Sequence, residues 1–169
     1  ALAYGLAVIA EDLDNDGWLD LCVANDMTPN FLYRNRGRPS ENGSSPFSFI
    51  ESGVAAGVAV NGKGEVESSM GLACADVDGD GRFDLFVTNF QEETNTFYRN
   101  HGELLFSDDT FRARLQDLKP PKMGWGCQFL DSLGRGRLDL FFVNSHLQAN
   151  QVQTPSFFLN QGDHFTDLK

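Results

Sequence analysis

Short apolar runs rich in Phe, Leu and Val recur along the chain, separated by segments rich in Asp, Asn and Gly. Runs such as LDLCVAN, FDLFVTN and LDLFFVN have the length and the β-branched and aromatic composition of strands. No long segment shows helical periodicity, and only TFRARLQDL, at residues 110–118, is expected to form one or two helical turns. The pattern predicts an all-β fold.

The strand pattern occurs three times. Asp12, Asp76 and Asp131 each open a nine-residue loop between one apolar run and the next. An aromatic run follows in each copy, as FLYRN, TFYRN and FFLN, and then a Gly turn and a short Phe-centred segment. Four strands per unit predict about three β-propeller blades, whereas a β-sandwich of hairpins, the alternative, leaves the repeat unexplained. The predicted units span approximately residues 1–53, 66–109 and 122–169.

Two of the loops carry a dense acidic pattern. Loop 1 (residues 12–20) and loop 2 (residues 76–84) follow D-x-D-x-D-G-x-x-D. Carboxylates at positions one, three and five converge when the backbone curls, and Gly at position six allows the left-handed turn that closes the curl. The position-seven carbonyl and the position-nine Asp complete an all-oxygen set, which suits Ca²⁺ better than zinc or Mg²⁺. A solvated, metal-free Asx turn is the alternative.

The pattern predicts two calcium sites with one set of ligands in each loop. The ligands are Asp12, Asp14, Asp16, the Trp18 backbone oxygen and Asp20 in loop 1, and Asp76, Asp78, Asp80, the Arg82 backbone oxygen and Asp84 in loop 2.

Loop 3 (residues 131–139) keeps the frame but loses half of the acids. Asp131 and Asp139 hold positions one and nine, whereas Leu133 and Arg135 replace the acids at positions three and five. Two carboxylates are too few for a calcium site, so we expect a degenerate loop without metal. The Arg135 guanidinium is expected to cover the vacated position and to pair with Asp131 or Asp139.

Net charge limits the classes of partner. A formal charge of −11 disfavours nucleic acids and anionic membranes and favours cations. No segment approaches the roughly 20 consecutive apolar residues of a membrane span. The first ten residues, ALAYGLAVIA, are expected to form an internal strand and not an intact signal peptide.

The cysteines and histidines suggest no metal or redox centre. Cys22, Cys74 and Cys127 stand singly in apolar runs and are expected to be small buried side chains, with their disulfide state left open. The histidines lack a second ligand at metal or triad spacing and are expected in loops or on the surface. They are His101, His146 and His164.

Sequence motifs of catalysis are absent. The chain contains no G-x-S-x-G, no H-E-x-x-H and no glycine-rich phosphate loop. Glycosidases need paired carboxylates at a defined separation, and the acids outside the loops show no convergent partner. Those acids include Glu92, Glu93, Asp108, Asp109 and Asp117. We therefore expect a protein that is not an enzyme.

The alternative function is a carbohydrate-binding or polysaccharide-processing propeller. Tyr4, Trp18 and Trp125 are the candidates for stacking on sugars, although packing roles are expected for both tryptophans. The connections NDMTPNF, NFQEETNTF and NSHLQANQVQTPSFF differ most between the units and are the candidate partner surface. Gly, Pro and Ser mark further exposed connections at residues 38–46, 61–67 and 119–122.

The phrases DLDNDGWLDLCVAND with NFLYRN, and DVDGDGRFDLFVTNF with NTFYRN, resemble the FG-GAP/VCBS repeats of integrin-α-type propellers. The likeness is greatest to the group typified by cartilage acidic protein, with its ASPIC/UnbV-associated repeats, and it covers most of the chain. It implies Ca²⁺ bound between the first two strands of a blade, protein interaction or adhesion, and an extracellular, cell-surface or periplasmic location.

Carried over by residue, the resemblance places calcium ligands at positions one, three, five and nine of loops 1 and 2, and transfers none to Asp131 or Asp139. Similar propellers generally have about six or seven blades, so three blades are expected to be part of a larger propeller or of an assembly.

Overall fold

Three four-stranded antiparallel sheets, each made of consecutive strands, form the described part of the chain. The computed structural model describes residues 2–37, 48–116, 122–148 and 152–168. Blade 1 contains β1 (Tyr4–Glu11), β2 (Asp20–Asp26), β3 (Phe31–Asn35) and β4 (Phe49–Glu51). Blade 2 contains β5 (Ser69–Ala75), β6 (Asp84–Asn89), β7 (Thr96–Asn100) and β8 (Phe106–Asp108). Blade 3 contains β9 (Gly124–Leu130), β10 (Asp139–Asn144), β11 (Ser156–Asn160) and β12 (Phe165–Asp167). The prediction of all-β propeller blades is confirmed.

Helical structure is minimal and lies where the sequence did not predict it. A four-residue helix, α1 (Gly53–Ala56), ends at Gly57, which has a φ of 83°. Of the one or two helical turns expected at residues 110–118, the described part forms a single turn, closed by the Ala113 N–H donating to the Asp109 carbonyl at 2.8 Å. Arg114 then adopts a φ of 57°, which ends the turn. No helix in the described ranges is long and apolar enough to cross a membrane.

The blades stack through two apolar cores. Side chains alternate along β6, so Leu85 points into a core shared with blade 1 while Phe86 points into a core shared with blade 3. In the second core, Phe142 lies with its ring centroid 5.5 Å from that of Phe86 and 5.8 Å from that of Phe158. Blade 2 is therefore covered on both faces, which accounts for a β6 that is buried throughout.

The three cysteines are free thiols, and only Cys22 is fully buried as the sequence predicted. Cys22 lies in the core between blades 1 and 2, whereas Cys74 and Cys127 are partly buried and pack against that core and the other core, respectively. Burial raises the pKa of Cys22 to about 12, so this thiol stays protonated and unreactive at neutral pH.

Of the three connections predicted to be exposed, at residues 38–46, 61–67 and 119–122, two lie wholly or almost wholly outside the described residues. Residues 38–46 and 119–121 belong to this group, and the third connection, residues 61–67, forms a turn in which the Gly64 N–H donates to the Asn61 carbonyl at 2.9 Å.

Gly71 marks the closest approach of blades 2 and 3. A Cβ atom at this residue would overlap the carbonyl oxygen of Trp125 on β9 and lie 2.7 Å from Thr88 Oγ1. The repeat provides an internal control, because Gly126 occupies the equivalent position of blade 3 and a Cβ there would have only Val143 Cγ2, at 4.0 Å.

We expect Gly71→Ala to lower the free energy of unfolding by about 1–3 kcal/mol, because the added methyl group forces the two blades apart. Gly126→Ala should change it by less than about 0.5 kcal/mol, the usual effect of an unobstructed surface substitution. Urea denaturation of the two variants measures the difference. Equal losses in both variants would show that helix and strand propensity, and not the blade contact, dominates the effect.

Candidate metal centre

Each acid loop joins the first and second strands of its blade, as predicted, and is shaped by backbone hydrogen bonds to its first residue. Asp12, Asp76 and Asp131 each accept the N–H groups of positions five and six. The distances are 3.0 and 2.9 Å in loop 1, 3.0 and 2.9 Å in loop 2, and 2.9 and 2.7 Å in loop 3. The position-six glycines adopt the left-handed φ that the sequence predicted, 89° at Gly17 and 84° at Gly81.

The position-nine aspartate begins the second strand of each blade and is buried. Asp20, Asp84 and Asp139 are 0%, 1% and 0% exposed. Their Oδ1 atoms accept the backbone N–H of the asparagine that ends the third strand, at 2.7 Å from Asn35, 2.9 Å from Asn100 and 2.9 Å from Asn160. The same carboxylate therefore fixes the loop to the sheet in all three blades.

The carboxylates of loops 1 and 2 converge in threes. Asp12, Asp14 and Asp20 each offer one oxygen within 4.8 Å of the others, and so do Asp76, Asp78 and Asp80. Asp16 and Asp84 stand outside these clusters. Asp16 Oδ1 accepts the Trp18 N–H at 2.9 Å, and Asp84 Oδ2 faces Arg99 Nη1 at 3.3 Å. The ligand roles of Asp16 and Asp84, and of the Trp18 and Arg82 carbonyls, remain predictions.

The donor set of these clusters fits a hard divalent cation. All of the atoms are oxygens, as Ca²⁺ prefers, with no thiol or imidazole among the clustered residues. The Asp14 side chain is only 3% exposed, and its Oδ2 atom accepts no hydrogen bond, although Arg34 Nη2 lies 2.7 Å away. A cation at this site would therefore share or replace the Arg34 guanidinium as the partner of a buried carboxylate oxygen.

Arginines on the third strands reach into loops 1 and 2, which the sequence analysis missed. Arg34 on β3 approaches Asp14, and Arg99 on β7 lies 2.5 Å from Asp78 Oδ2. Arg82, within loop 2, pairs with Asp80. The signal was present in the sequence, because both FLYRN and TFYRN carry the arginine before the final asparagine.

In blade 3, the arginine lies in the acid loop and not on the third strand. Leu159 replaces it on β11, and the positive charge comes from within the loop, where Arg135 Nη2 donates to Asp139 Oδ1 at 2.6 Å. Asp139, not Asp131, is thus the partner of Arg135. Asp131 instead accepts backbone N–H groups, first that of Arg135, which lower its pKa. The absence of metal from loop 3 remains a prediction.

Hydrogen bonds also join each loop to the next blade. The Asn100 side-chain amide donates to the Leu13 carbonyl at 2.9 Å, and the Asn160 amide donates to the Val77 carbonyl at 3.1 Å. Asn15 of loop 1 donates to the Gly81 carbonyl of loop 2 at 3.0 Å. The geometry of an acid loop therefore depends on its neighbour as well as on its own blade.

The residues considered for sugar stacking lie on three different elements. Trp18, in loop 1, is 44% exposed and its indole lies against Gly37. The Trp125 indole N–H, on β9, donates to the Ser145 carbonyl at 3.0 Å, and Tyr4 is exposed on β1. No stacking platform is evident from these positions.

Several of the acids outside the loops that were considered as catalytic carboxylates already accept hydrogen bonds or lie close to an arginine. Glu93 accepts from Ser68, Asp108 accepts from Gly62 and Thr110, and Asp109 faces Arg99 at 3.5 Å. Glu92, Glu93 and Asp108 line one open cleft, and Asp117 lies outside the described residues.

Comparison with protein families agrees with this architecture. A model of the FG-GAP-like repeat matches residues 12–87 and residues 76–142, together well over half of the chain. The chain belongs to the FG-GAP-like repeat family. Both matches begin at position one of an acid loop, at Asp12 and Asp76. No curated protein matches the chain.

Membership of this family indicates the general character of the protein. FG-GAP-like repeats form β-propeller modules that often serve in interactions, are generally not enzymes, and are typical of extracellular or periplasmic proteins. The finer resemblance to ASPIC/UnbV-associated repeats and the unit boundaries given above remain predictions.

Burial of the position-nine acids makes this FG-GAP-like protein sensitive to pH. Desolvation raises the pKa of Asp84 to about 6 against the hydrogen bond from Asn100 and the charge of Arg99, both of which lower it. Desolvation also raises the pKa of Asp20. At neutral pH, the Asp84 carboxylate is ionised at an energetic cost that a proton or a nearby cation removes.

In protein freed of divalent cations, we expect the unfolding free energy of the wild type to rise relative to Asp84→Asn as pH falls from 7 to 4. The folded pKa of about 6 lies above the unfolded value of 3.8, so the folded state takes up the proton first and gains stability through this window. The gain should be about 1–3 kcal/mol. Urea denaturation at pH 7, 6, 5 and 4 measures it. Parallel curves for the two proteins would contradict the burial argument.

Asp163→Asn is the control, because the pKa of Asp163 is lowered, first by the hydrogen bond from His164. This exposed residue should contribute the opposite slope, with stability lost as pH falls.

Proposed function

We propose that this FG-GAP-like repeat protein is a non-enzymatic, calcium-stabilised β-propeller module that presents its loops and blade flanks to protein partners outside the cytoplasm. The convergence of three aspartate carboxylates in each of two loops is the observation that carries the proposal. Family membership supports the interaction role, because repeats of this kind often serve in protein contacts.

Calcium would relieve a charge conflict that the chain itself creates. Asp12, Asp14 and Asp20 in loop 1, and Asp76, Asp78 and Asp80 in loop 2, would provide carboxylate ligands. When bound, the ion supplies positive charge at the start of the second strand, where the sheet buries position nine. Arg34 and Arg99 supply part of that charge in its absence, so calcium must compete with a guanidinium in both loops.

This competition favours a weak site. Extracellular calcium modules bind with dissociation constants of about 10⁻⁴ to 10⁻³ M, in the range of the calcium concentration outside cells. A loop whose acids are partly neutralised by arginine suits that range better than the tighter binding of cytosolic sensors. Weak calcium binding would suit the extracellular or periplasmic location proposed here.

We expect saturating Ca²⁺ to raise the thermal unfolding midpoint relative to excess chelator. At tenfold over its dissociation constant, each site contributes about 1.4 kcal/mol. Two sites then predict a rise of about 5–10 °C in a chain of this size. An Asp14→Asn, Asp78→Asn double variant should lose the shift. Differential scanning calorimetry measures it.

Asp131→Asn is the matched control, since it changes an aspartate in loop 3 and should keep the calcium shift even if its own midpoint falls. An unchanged midpoint in the wild type would refute the calcium proposal. Loss of the shift in Asp131→Asn would instead place metal in the third loop.

The outer flank of blade 1 (Leu6, Val8, Leu21, Val23 and Tyr33) supports a role in assembly. Alternation along β1 and β2 directs these side chains away from the core shared with blade 2, and Val8 is 62% exposed. The equivalent residues of blade 2 pack against blade 1. They are Leu72, Leu85, Val87 and Tyr98.

We infer that another blade of the same kind covers this flank. The flank repeats the apolar character of a surface that already binds a blade within this chain, so a blade is the partner to which it is matched. In solutions of the 169-residue chain alone, the available blade belongs to a second copy.

The chain is therefore expected to self-associate at concentrations of tens of micromolar, and Val8→Lys should abolish the association by placing a charge in the apolar contact. Val54→Lys is the matched control, because Val54 is 79% exposed on α1, outside the flank. Sedimentation velocity measures both. A wild type that stays monomeric, or a Val54→Lys variant that dissociates equally, would contradict the inference.

No specific contact among the described residues favours carbohydrate binding.

A further inference from the structure

A cleft of about 530 Å³ between blades 2 and 3 brings four arginines together in an acidic protein. Its lining includes Arg82, Arg99, Arg112 and Arg114. The whole chain has only 13 Lys and Arg residues and a formal charge of −11. Nearly a third of its permanent cations therefore face one cleft, which neither family membership nor the calcium proposal requires.

Two of these arginines are held at the cleft without an ion pair. Arg112 and Arg114 alternate with Ala113 and Leu115, which are buried in the core between blades 2 and 3. The Phe165 N–H donates to the Ala113 carbonyl at 2.9 Å and ties this segment to blade 3. Within the described ranges, neither guanidinium makes a salt bridge, although the charge of Arg114 contributes to lowering the pKa of Asp163, which lines the same cleft.

The other two arginines are occupied by acids of loop 2 but anchored independently of them. Arg82 pairs with Asp80, and its Nε donates to the Asn100 carbonyl at 3.1 Å. Arg99 pairs with Asp78, while its guanidinium also lies 3.5 Å from Asp109 and 5.0 Å from the centre of the Phe97 ring. Neutralising the loop acids would therefore leave both arginines at the cleft.

The charge of the cleft depends on loop 2. Four aspartates balance the four arginines, and two of them, Asp78 and Asp80, belong to the cluster that would hold a cation. With Asp76, the third member of that cluster, included, a divalent ion changes the formal charge around the cleft from −1 to +1, with His101 and His164 counted as neutral. Guanidinium groups bind carboxylate, sulfate and phosphate through paired N–H donors.

We propose that this cleft is an oxyanion-binding site, filled by a sulfate or carboxylate group of a ligand and coupled positively to cation binding in loop 2. The inference rests on the proposed calcium function, since the cation is what releases Arg82 and Arg99 from the loop acids. Linkage makes the coupling reciprocal, so the anion must also strengthen cation binding.

The test is isothermal titration calorimetry with sodium sulfate in one arm and sodium succinate in the other, at a constant ionic strength set by sodium chloride. Each titration is run with saturating Ca²⁺ and again in chelator. We expect at least one anion to bind about tenfold more tightly in Ca²⁺, within the usual range of coupling between sites. The arm with the higher affinity identifies sulfate or carboxylate as the natural group.

An Arg112→Gln, Arg114→Gln double variant should weaken the anion about tenfold or more and keep the calcium-induced rise of the unfolding midpoint. Arg36→Gln is the control, because Arg36 is an exposed arginine of blade 1 outside the cleft. It should leave anion affinity unchanged.

Three results would overturn the inference and leave the calcium proposal intact: no binding of either anion, equal affinity with and without Ca²⁺, or equal weakening by Arg36→Gln. Failure of Ca²⁺ itself to shift the midpoint would overturn both.

Discussion

The aspartate at the start of the second strand is the constraint on which each blade depends. This aspartate is buried in all three blades, as Asp20, Asp84 and Asp139. Its carboxylate is needed there because Oδ1 accepts the backbone N–H of the asparagine that ends the third strand. An ionised carboxylate in such a place is costly unless hydrogen bonds and positive charge surround it. Asparagine N–H groups bind this carboxylate in all three blades, and an arginine, Arg99 or Arg135, lies beside it in blades 2 and 3.

The three blades meet the same constraint with different distributions of charge. Blades 1 and 2 place several acids in the loop and an arginine on the third strand, which allows a cation to share or take over the neutralising role. Blade 3 puts the arginine inside the loop and a leucine on the strand, so the compensation is internal. Loop 3 has two fewer acids, and blade 3 has no arginine on its third strand, so the two differences partly offset each other in charge.

Packing between blades extends the effect of each loop. Asn100 and Asn160 connect the end of a third strand to the preceding loop, so a change in one acid loop reaches the next blade through a single hydrogen bond. Blade 2, with neighbours on both faces, has a fully buried β6, whereas the outer flank of blade 1 exposes the same kind of apolar side chains. The contact between blades 1 and 2 and the contact proposed for the outer flank therefore use surfaces of the same kind, as between the units of other repeat proteins.

The sequence by itself determined the strands, the three repeats, the loop frame and the family resemblance, because all of these depend on short-range pattern: alternation, glycine at position six and aspartates at fixed spacing. It also anticipated the pairing of Arg135 with one of two acids. Only the tertiary structure decided which acid that is, which carboxylates converge, and which arginines reach them. Those contacts join residues far apart in the chain, such as Arg99 with Asp78 and Asn100 with Leu13, and their geometry depends on how strands pair and blades stack. The cleft between blades 2 and 3 has the same origin, since no single segment contains its arginines, and only packing brings them together.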